Sequence, residues 1–372
     1  MRGRSTPQRS LICLVNVEER IPRQHPIRQV KAMIEQVLRG MEGSFQKLYA
    51  ETGRASVPPE RLLKARVLMA LYTVRSERQF CERLRYDVLF QWFLDINLEE
   101  ADAQVFDASV FAKNQQRFLQ GAVSEEFFAQ VVRLAHQHGW VSDEHFSVDG
   151  TLIDAWASMK SFRPKDEPKD PGDSNGWSDF KGQKRSNQTH ESKTDAQAKL
   201  LRKSPGAAAK LCFGMHATME NRHGLCVVLD VHQSVGKTET TAALEQLDKL
   251  PQRGLAPRSV GADKGYHNHQ FVQGCRERGV APHCAQIEGR QVAGLDGRTT
   301  RRRGCQTSLI VRRRIEQIFG WAKTIGGLRK TAHRGVARVH AACQYVCGAY
   351  NLLRMARLRL KSAAPPLEVA GV

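Results

Sequence analysis

His145-Phe146-Ser147-Val148-Asp149-Gly150 is where the hydrophobic period of this chain changes. Apolar and polar side chains alternate through it, and it stops at an acid and a glycine, the pattern of a strand running into a turn. Before it, from Ile27 onward, apolar residues recur at helical spacing: Val30, Ile34, Val37 and Leu38, then Phe45 and Leu48. Pro58-Pro59-Glu60 suits the first turn of another helix, and the run Leu62, Leu63, Ala65, Val67, Leu68, Leu71 supplies its buried face. Residues 76–92 repeat the pattern with many arginines, and 107–135 add two more helices. After it, strands and helices alternate. Apolar runs at 211–219 and 225–232 flank the polar turn Glu220-Asn221-Arg222-His223-Gly224 as a hairpin. Helices are predicted at 238–250, 267–278, 307–323 and 340–358, and strands at 258–263 and 280–285.

This order predicts an α/β domain with a mixed sheet over 139–358, preceded by an all-helical N-terminal domain over 27–138. A flexible lead covers 1–26, with Arg2, Arg4 and Arg9, and a tail covers 359–372. Residues 158–209 are polar, with twelve basic residues between Lys160 and Lys210, and read as an exposed, partly mobile loop.

The 372 residues carry 57 Lys and Arg against 38 Asp and Glu, a net charge of +19. That excess suits a polyanionic partner: nucleic acid first, an anionic membrane surface second. No stretch of about 18 apolar residues exists to span a bilayer, and the early apolar run at 11–17 is too short for a secretory signal. Nine scattered cysteines read as reduced thiols, which places the chain in the cytoplasm.

Three acids stand out by position. Asp149 ends the first strand, Asp263 ends the strand Ser259-Val260-Gly261-Ala262, and Glu316 lies inside the helix 307–323. An acid at the end of an apolar strand is costly to bury alone, although Asp before a turn also serves as a simple cap. Brought together, the three would repel and raise one another's pKa, a conflict that a divalent cation removes. Oxygen-only ligands suit Mg2+, or Mn2+ in its place, and such ions serve in-line phosphoryl transfer. At about 100° per residue, Arg312, Glu316 and Lys323 share one helix face. Between Arg298 and Arg338 stand twelve Lys or Arg, Arg313 among them, and the single acid Glu316. A lone acid in that field looks placed, and the cations look meant for phosphates.

Ser147-Val148-Asp149-Gly150-Thr151, then Gly261-Ala262-Asp263-Lys264-Gly265-Tyr266, then Arg312-Arg313-Arg314-Ile315-Glu316 running on to Lys323 resemble the Asp–Asp–Glu transposases of bacterial insertion sequences, in particular the insertion-sequence family five group. The helical stretch 53–84 and the strings at 211–225 and 345–356 are similar to the same group, so the resemblance covers roughly 21–356. It implies an RNase H-like catalytic domain in which Asp149, Asp263 and Glu316 are the catalytic, metal-holding residues. It also implies Mg2+, with cutting and joining at terminal inverted repeats of double-stranded DNA and neither ATP nor a membrane. A homo-oligomer assembled on DNA is expected. The group's signature Tyr-x2-Arg-x3-Glu-x6-Lys falls on Leu309, Arg312, Glu316 and Lys323, with leucine in place of tyrosine. Arg312 and Lys323 would hold DNA phosphates, with Lys264 and Tyr266 as further contacts. A copy that has lost catalysis and acts as a DNA-binding repressor, or a nuclease that cuts without joining, are the alternatives.

Other signals are set aside. Residues 234–238 imitate the end of a phosphate-binding loop but lack its leading glycine. His267, His269, Cys275, His283 and Cys284 lack paired zinc spacing. Trp177, in the basic segment, could stack on a base.

Overall fold

The computed structural model describes residues 16–49, 56–96, 105–165, 185–202, 206–233 and 239–363. Residues 234–238, Trp177 with part of the basic segment (166–184 and 203–205), residues 1–15 and residues 364–372 lie outside them.

The first part is helical: α1 (Val17–Arg20), α2 (Pro26–Arg39), α3 (Glu42–Leu48), α4 (Pro59–Leu71), α5 (Glu77–Leu84), α6 (Val88–Phe93), α7 (Ala108–Gln120) and α8 (Val123–Gln137). Local chemistry sets where these start. Pro26 and Pro59 occupy first turns, where their missing N–H costs nothing. Ser76, Asp87 and Asp107 cap α5, α6 and α7 by accepting backbone N–H groups. On α2 the buried residues Ile27, Val30, Met33, Ile34, Val37 and Leu38 form one stripe, which turns helical periodicity into packing. The stretch expected to be a flexible lead is partly folded. α1 lies in it, and Ile21 is buried in the hydrophobic cluster, its carbonyl accepting from Arg28 at 2.7 Å.

The second part contains β1 (His145–Asp154), β2 (Phe162–Pro164), β3 (His190–Ser192), β4 (Lys199–Leu201), β5 (Lys210–Glu220), β6 (Leu225–His232), α9 (Glu239–Lys249), β7 (Ser259–Ala262), α10 (His269–Glu277), β8 (Ala281–Cys284), α11 (Gly297–Thr300), α12 (Arg303–Val311), α13 (Ile315–Thr324) and α14 (Val336–Ala363). Strand β5 pairs antiparallel with β1 on one side and with β6 and β4 on the other. β7 runs parallel to β1, and β8 parallel to β7. The sheet is therefore mixed, as expected, with α9 and α10 making the crossovers that parallel strands require.

Three elements differ from their expected form. First, β1 does not stop at Asp149 but continues to Asp154, because β5 pairs with it from Phe146 through Asp154. β7 pairs only with His145–Ser147, so beyond Ser147 the sheet opens on that side. Second, the basic segment is not wholly loop. β2 pairs with β3, β4 pairs with β5, and Phe162 is buried against the His190 ring. Third, the helix expected at 307–323 is α12 and α13 joined by a tighter 3-10 turn at Arg312–Arg314. The chain is held on both sides there: the Arg312 Cβ lies against Gly261 of β7, and Arg314 donates to the Asn221 carbonyl at 3.0 Å.

The closing helix α14 packs against α2, α4 and α8 and also against β6 and α13. One hydrophobic cluster consequently runs through both parts, from Ile21 to Ala356. Among the described residues, no helix is long and apolar enough to cross a membrane.

Candidate active site

Parallel pairing places Ser147 of β1 opposite Gly261 of β7. Two residues further along each strand come Asp149 and Asp263. Side chains two apart on a strand share a face, and neighbouring strands lie about 4.8 Å apart. The two aspartates therefore leave the sheet at the same level and on the same face, where β7 ends and β1 goes on. Each is steadied by a local N–H: Asp149 Oδ1 accepts from Gly150 N and Asp263 Oδ1 from Gly265 N, both at 2.7 Å. Asp263 thereby caps the 3-10 turn Lys264–Tyr266. The capping reading therefore holds for this side chain.

Asp149 feels two neighbouring acids. Burial pushes the Asp149 carboxyl up to about 7, and the charges of Asp263 and Glu239 add to the rise, while the Gly150 N–H and Arg312 oppose it. Glu239 is raised as well, by burial and then by Asp263. Glu239, which acts on the Asp149 charge, was not singled out in the sequence. It opens α9, and its Oε1 stands 3.3 Å from where a Cβ on Gly150 would be. The same imagined Cβ would come within 2.9 Å of His216 Nδ1. Glycine is thus required at 150 by crowding, and its absence of a side chain is what lets Glu239 approach. An acid in the first turn of a helix reads as an ordinary response to the helix dipole, so nothing in the sequence marked it.

A raised carboxyl pKa has a definite consequence for stability. The folded state holds its proton more tightly than the unfolded one, so stability falls as pH rises from 3.8 to about 7 and stays lowered above. At about 1.4 kcal/mol per pH unit, the cost is bounded at about 4 kcal/mol. In metal-free buffer with chelator, Asp149→Asn is expected to raise Tm by a few degrees at pH 8 and not at pH 4. An equal gain at both pH values, read by thermal melts, would trace the effect to packing instead of charge.

Glu316 lies exposed in the first turn of α13. The helix carrying it packs on β1. Arg312, four residues before, acts on the Asp149 charge, and Lys323, seven after, donates from Nζ to Thr151 Oγ1 at 2.6 Å. Arg312 and Lys323 therefore both act on β1 near Asp149. Asp263 and Glu239 act on Asp149, whereas Glu316 is exposed and is not among the groups that act on it. Among the described residues, no three Asp, Glu, His or Cys side chains are gathered tightly enough to hold a metal ion. Lys264 and Arg313 are exposed. Tyr266, expected at the DNA surface, is not there. It is 1% exposed and packs edge-on against Phe271, because the 3-10 turn rolls it into the core.

No curated protein matches the chain. Among solved structures, a piggyBac transposase synaptic complex with hairpin DNA aligns over 93% of this chain and 83% of its own at 8% identity and a TM-score of 0.42. A pre-cleavage Mos1 transpososome aligns over 84% and 82% at 8% identity and a TM-score of 0.20. Overlays this loose add nothing to the assignment. Family models are more direct: residues 15–117 match one described as a transposase domain, and residues 177–352 match the transposase DDE domain. The second match takes in Asp263 and Glu316 and begins after Asp149. Together the two matches place the chain among the DDE transposases.

Proposed function

We propose that the chain cuts DNA at the terminal inverted repeats of an insertion sequence of the family five group and joins the freed 3′-OH ends to target DNA. The observation that carries this reading is the paired exit of Asp149 and Asp263 from parallel strands, with a cation-lined helix bearing Glu316 laid beside them. The strand arrangement is consistent with an RNase H-like catalytic domain over 139–358, following a helical domain over 27–138 that binds end DNA or mediates dimerisation.

The acids fit a divalent cation by their chemistry. They offer only oxygen, and the burial and neighbouring acids that lift Asp149 are what a bound cation offsets. Asp149, Asp263 and Glu316 would hold Mg2+, with Mn2+ as substitute, and Glu239 stands close enough to share in the charge. Bound there, the ion would stabilise charge on the attacking and leaving oxygens of phosphoryl transfer. The chain's own groups do the rest. Arg312, fixed against β7, and Lys323, fixed to Thr151, present positive charge along β1 toward a DNA strand. Exposed Lys264 and Arg313 extend that field. The working form is a homo-oligomer on double-stranded DNA in the cytoplasm, without ATP.

The test is a strand-transfer assay with Mg2+ on the sequences that bracket the coding region. Nicked ends and joined products are expected. Binding without nicking would instead support a repressor, and nicking without joining a nuclease; either would overturn this reading.

A further inference from the structure

Helices α4 and α5 are joined by a short, fixed turn, the arrangement of a helix-turn-helix. Thr73 takes a left-handed backbone at φ 55°, Val74 is buried, and Val74 N donates to the Met69 carbonyl at 2.9 Å. Ser76 then caps α5, accepting from Gln79 N at 3.1 Å. The two helices are used differently. α4 is buried over much of its surface, with Leu62, Leu63, Val67 and Leu68 inside. α5 buries only Phe80, Cys81 and Leu84, and Phe80 is wedged between the rings of Phe90 and Phe111. Arg78, Glu82 and Arg85, spaced i, i+4 and i+7, share one face of α5, and all three are exposed.

The other charges of this motif are already satisfied: Arg66 pairs with Glu77, and Arg83 with Asp87. Among the described residues, Arg78, Glu82 and Arg85 have no ion-pair partner. Arg75, just before α5, lines a cleft shared with Lys323, Arg329 and Lys330, and the described residues around that cleft include no Asp or Glu. Lys323 is in turn bonded to Thr151, two residues past Asp149. A duplex seated on α5 is therefore led along cations toward the candidate active site. An α-helix fits the major groove, where arginine pairs with guanine and a carboxylate accepts from the cytosine amino group. An exposed acid between two arginines is unfavourable against phosphates, which repel it, and favourable against a base edge. We propose that α5 selects the end sequence, with Arg78 on a guanine, Glu82 on a cytosine and Arg85 on a backbone phosphate. The two readers are four residues apart, about 6 Å along the helix axis, so the bases they select lie within roughly two base pairs of each other. The proposal rests on the DNA-processing reading above and deepens it, by giving the helical part a reading face and two specificity-determining residues.

The experiment is competition binding of the full-length protein to element-end duplexes in which each base pair is substituted in turn. The wild type is expected to lose roughly tenfold at a guanine and at a cytosine within two base pairs of each other. Glu82→Gln should exchange the cytosine preference for adenine. Arg78→Lys, which keeps the charge and loses the planar fork, should lose the guanine preference. Both variants should hold unrelated duplex no less tightly than the wild type does. A loss spread evenly over all sequences would make the face a phosphate contact and overturn the proposal. So would a change in sedimentation without DNA, which would give the face to a second copy of the chain. Base preferences unchanged in both variants would defeat this proposal alone, whereas a wild type that binds end and scrambled duplexes alike would defeat the transposase reading with it.

Discussion

Asp263→Asn is expected to bind element-end DNA as the wild type does and to cleave it at least about a thousandfold more slowly, a loss of roughly 4 kcal/mol in the transition state. Asparagine keeps a carbonyl oxygen for the Gly265 N–H, so the capped turn should survive. What it loses is the negative charge that Asp149 feels across the strand ends. Asp149→Asn, which likewise keeps an acceptor for the Gly150 N–H, should match it in cleavage. The pairing of effects is the informative part, because the parallel register gives the two acids equivalent places. Electrophoretic nicking assays with matched DNA-binding curves check it. Near-normal cleavage by either variant would remove that residue from the chemistry.

Glu316→Gln is expected to be as severe as the aspartate changes, whereas Glu239→Gln should cost only about tenfold, roughly 1.4 kcal/mol. The two glutamates make different claims. Glu239 acts on the Asp149 charge, and burial and then Asp263 raise its own carboxyl. Glu316 sits in water, but on the helix whose cations reach β1 on either side of it. Single-turnover cleavage of both variants ranks them. A ranking in the opposite order would move the third acid from α13 to α9.

The fold was legible to the extent that side-chain periodicity carries it. Ile27 through Leu38 read as a helix because one stripe is apolar, and Leu225–His232 read as a strand between a turn and a polar run. The length of β1 was not legible. Its extension past Gly150 depends on pairing with β5, some sixty residues later, and no local pattern reports a partner. The broken helix at Arg312–Arg314 has the same origin, since contacts to Gly261 and Asn221 tighten it. Asp149 and Asp263 could be picked out as candidates because an acid closing an apolar run is conspicuous. Tyr266 was misplaced because a residue one turn past a strand end can roll inward or outward, and only packing on Phe271 decides. Glu239 escaped because its role comes from the crowding around Gly150, a fact of three dimensions.

The measurement that bears most directly on the site is iron-directed backbone cleavage. Fe2+ is loaded in place of Mg2+ on the full-length protein bound to end DNA, and ascorbate and peroxide then generate radicals that cut the chain next to the ion. Three sets of fragments are expected, ending near residues 149, 263 and 316, all suppressed together by excess Mg2+. Cuts near 149 and 263 without any near 316, or cuts that Mg2+ does not suppress, would contradict a single ion site shared by those three acids.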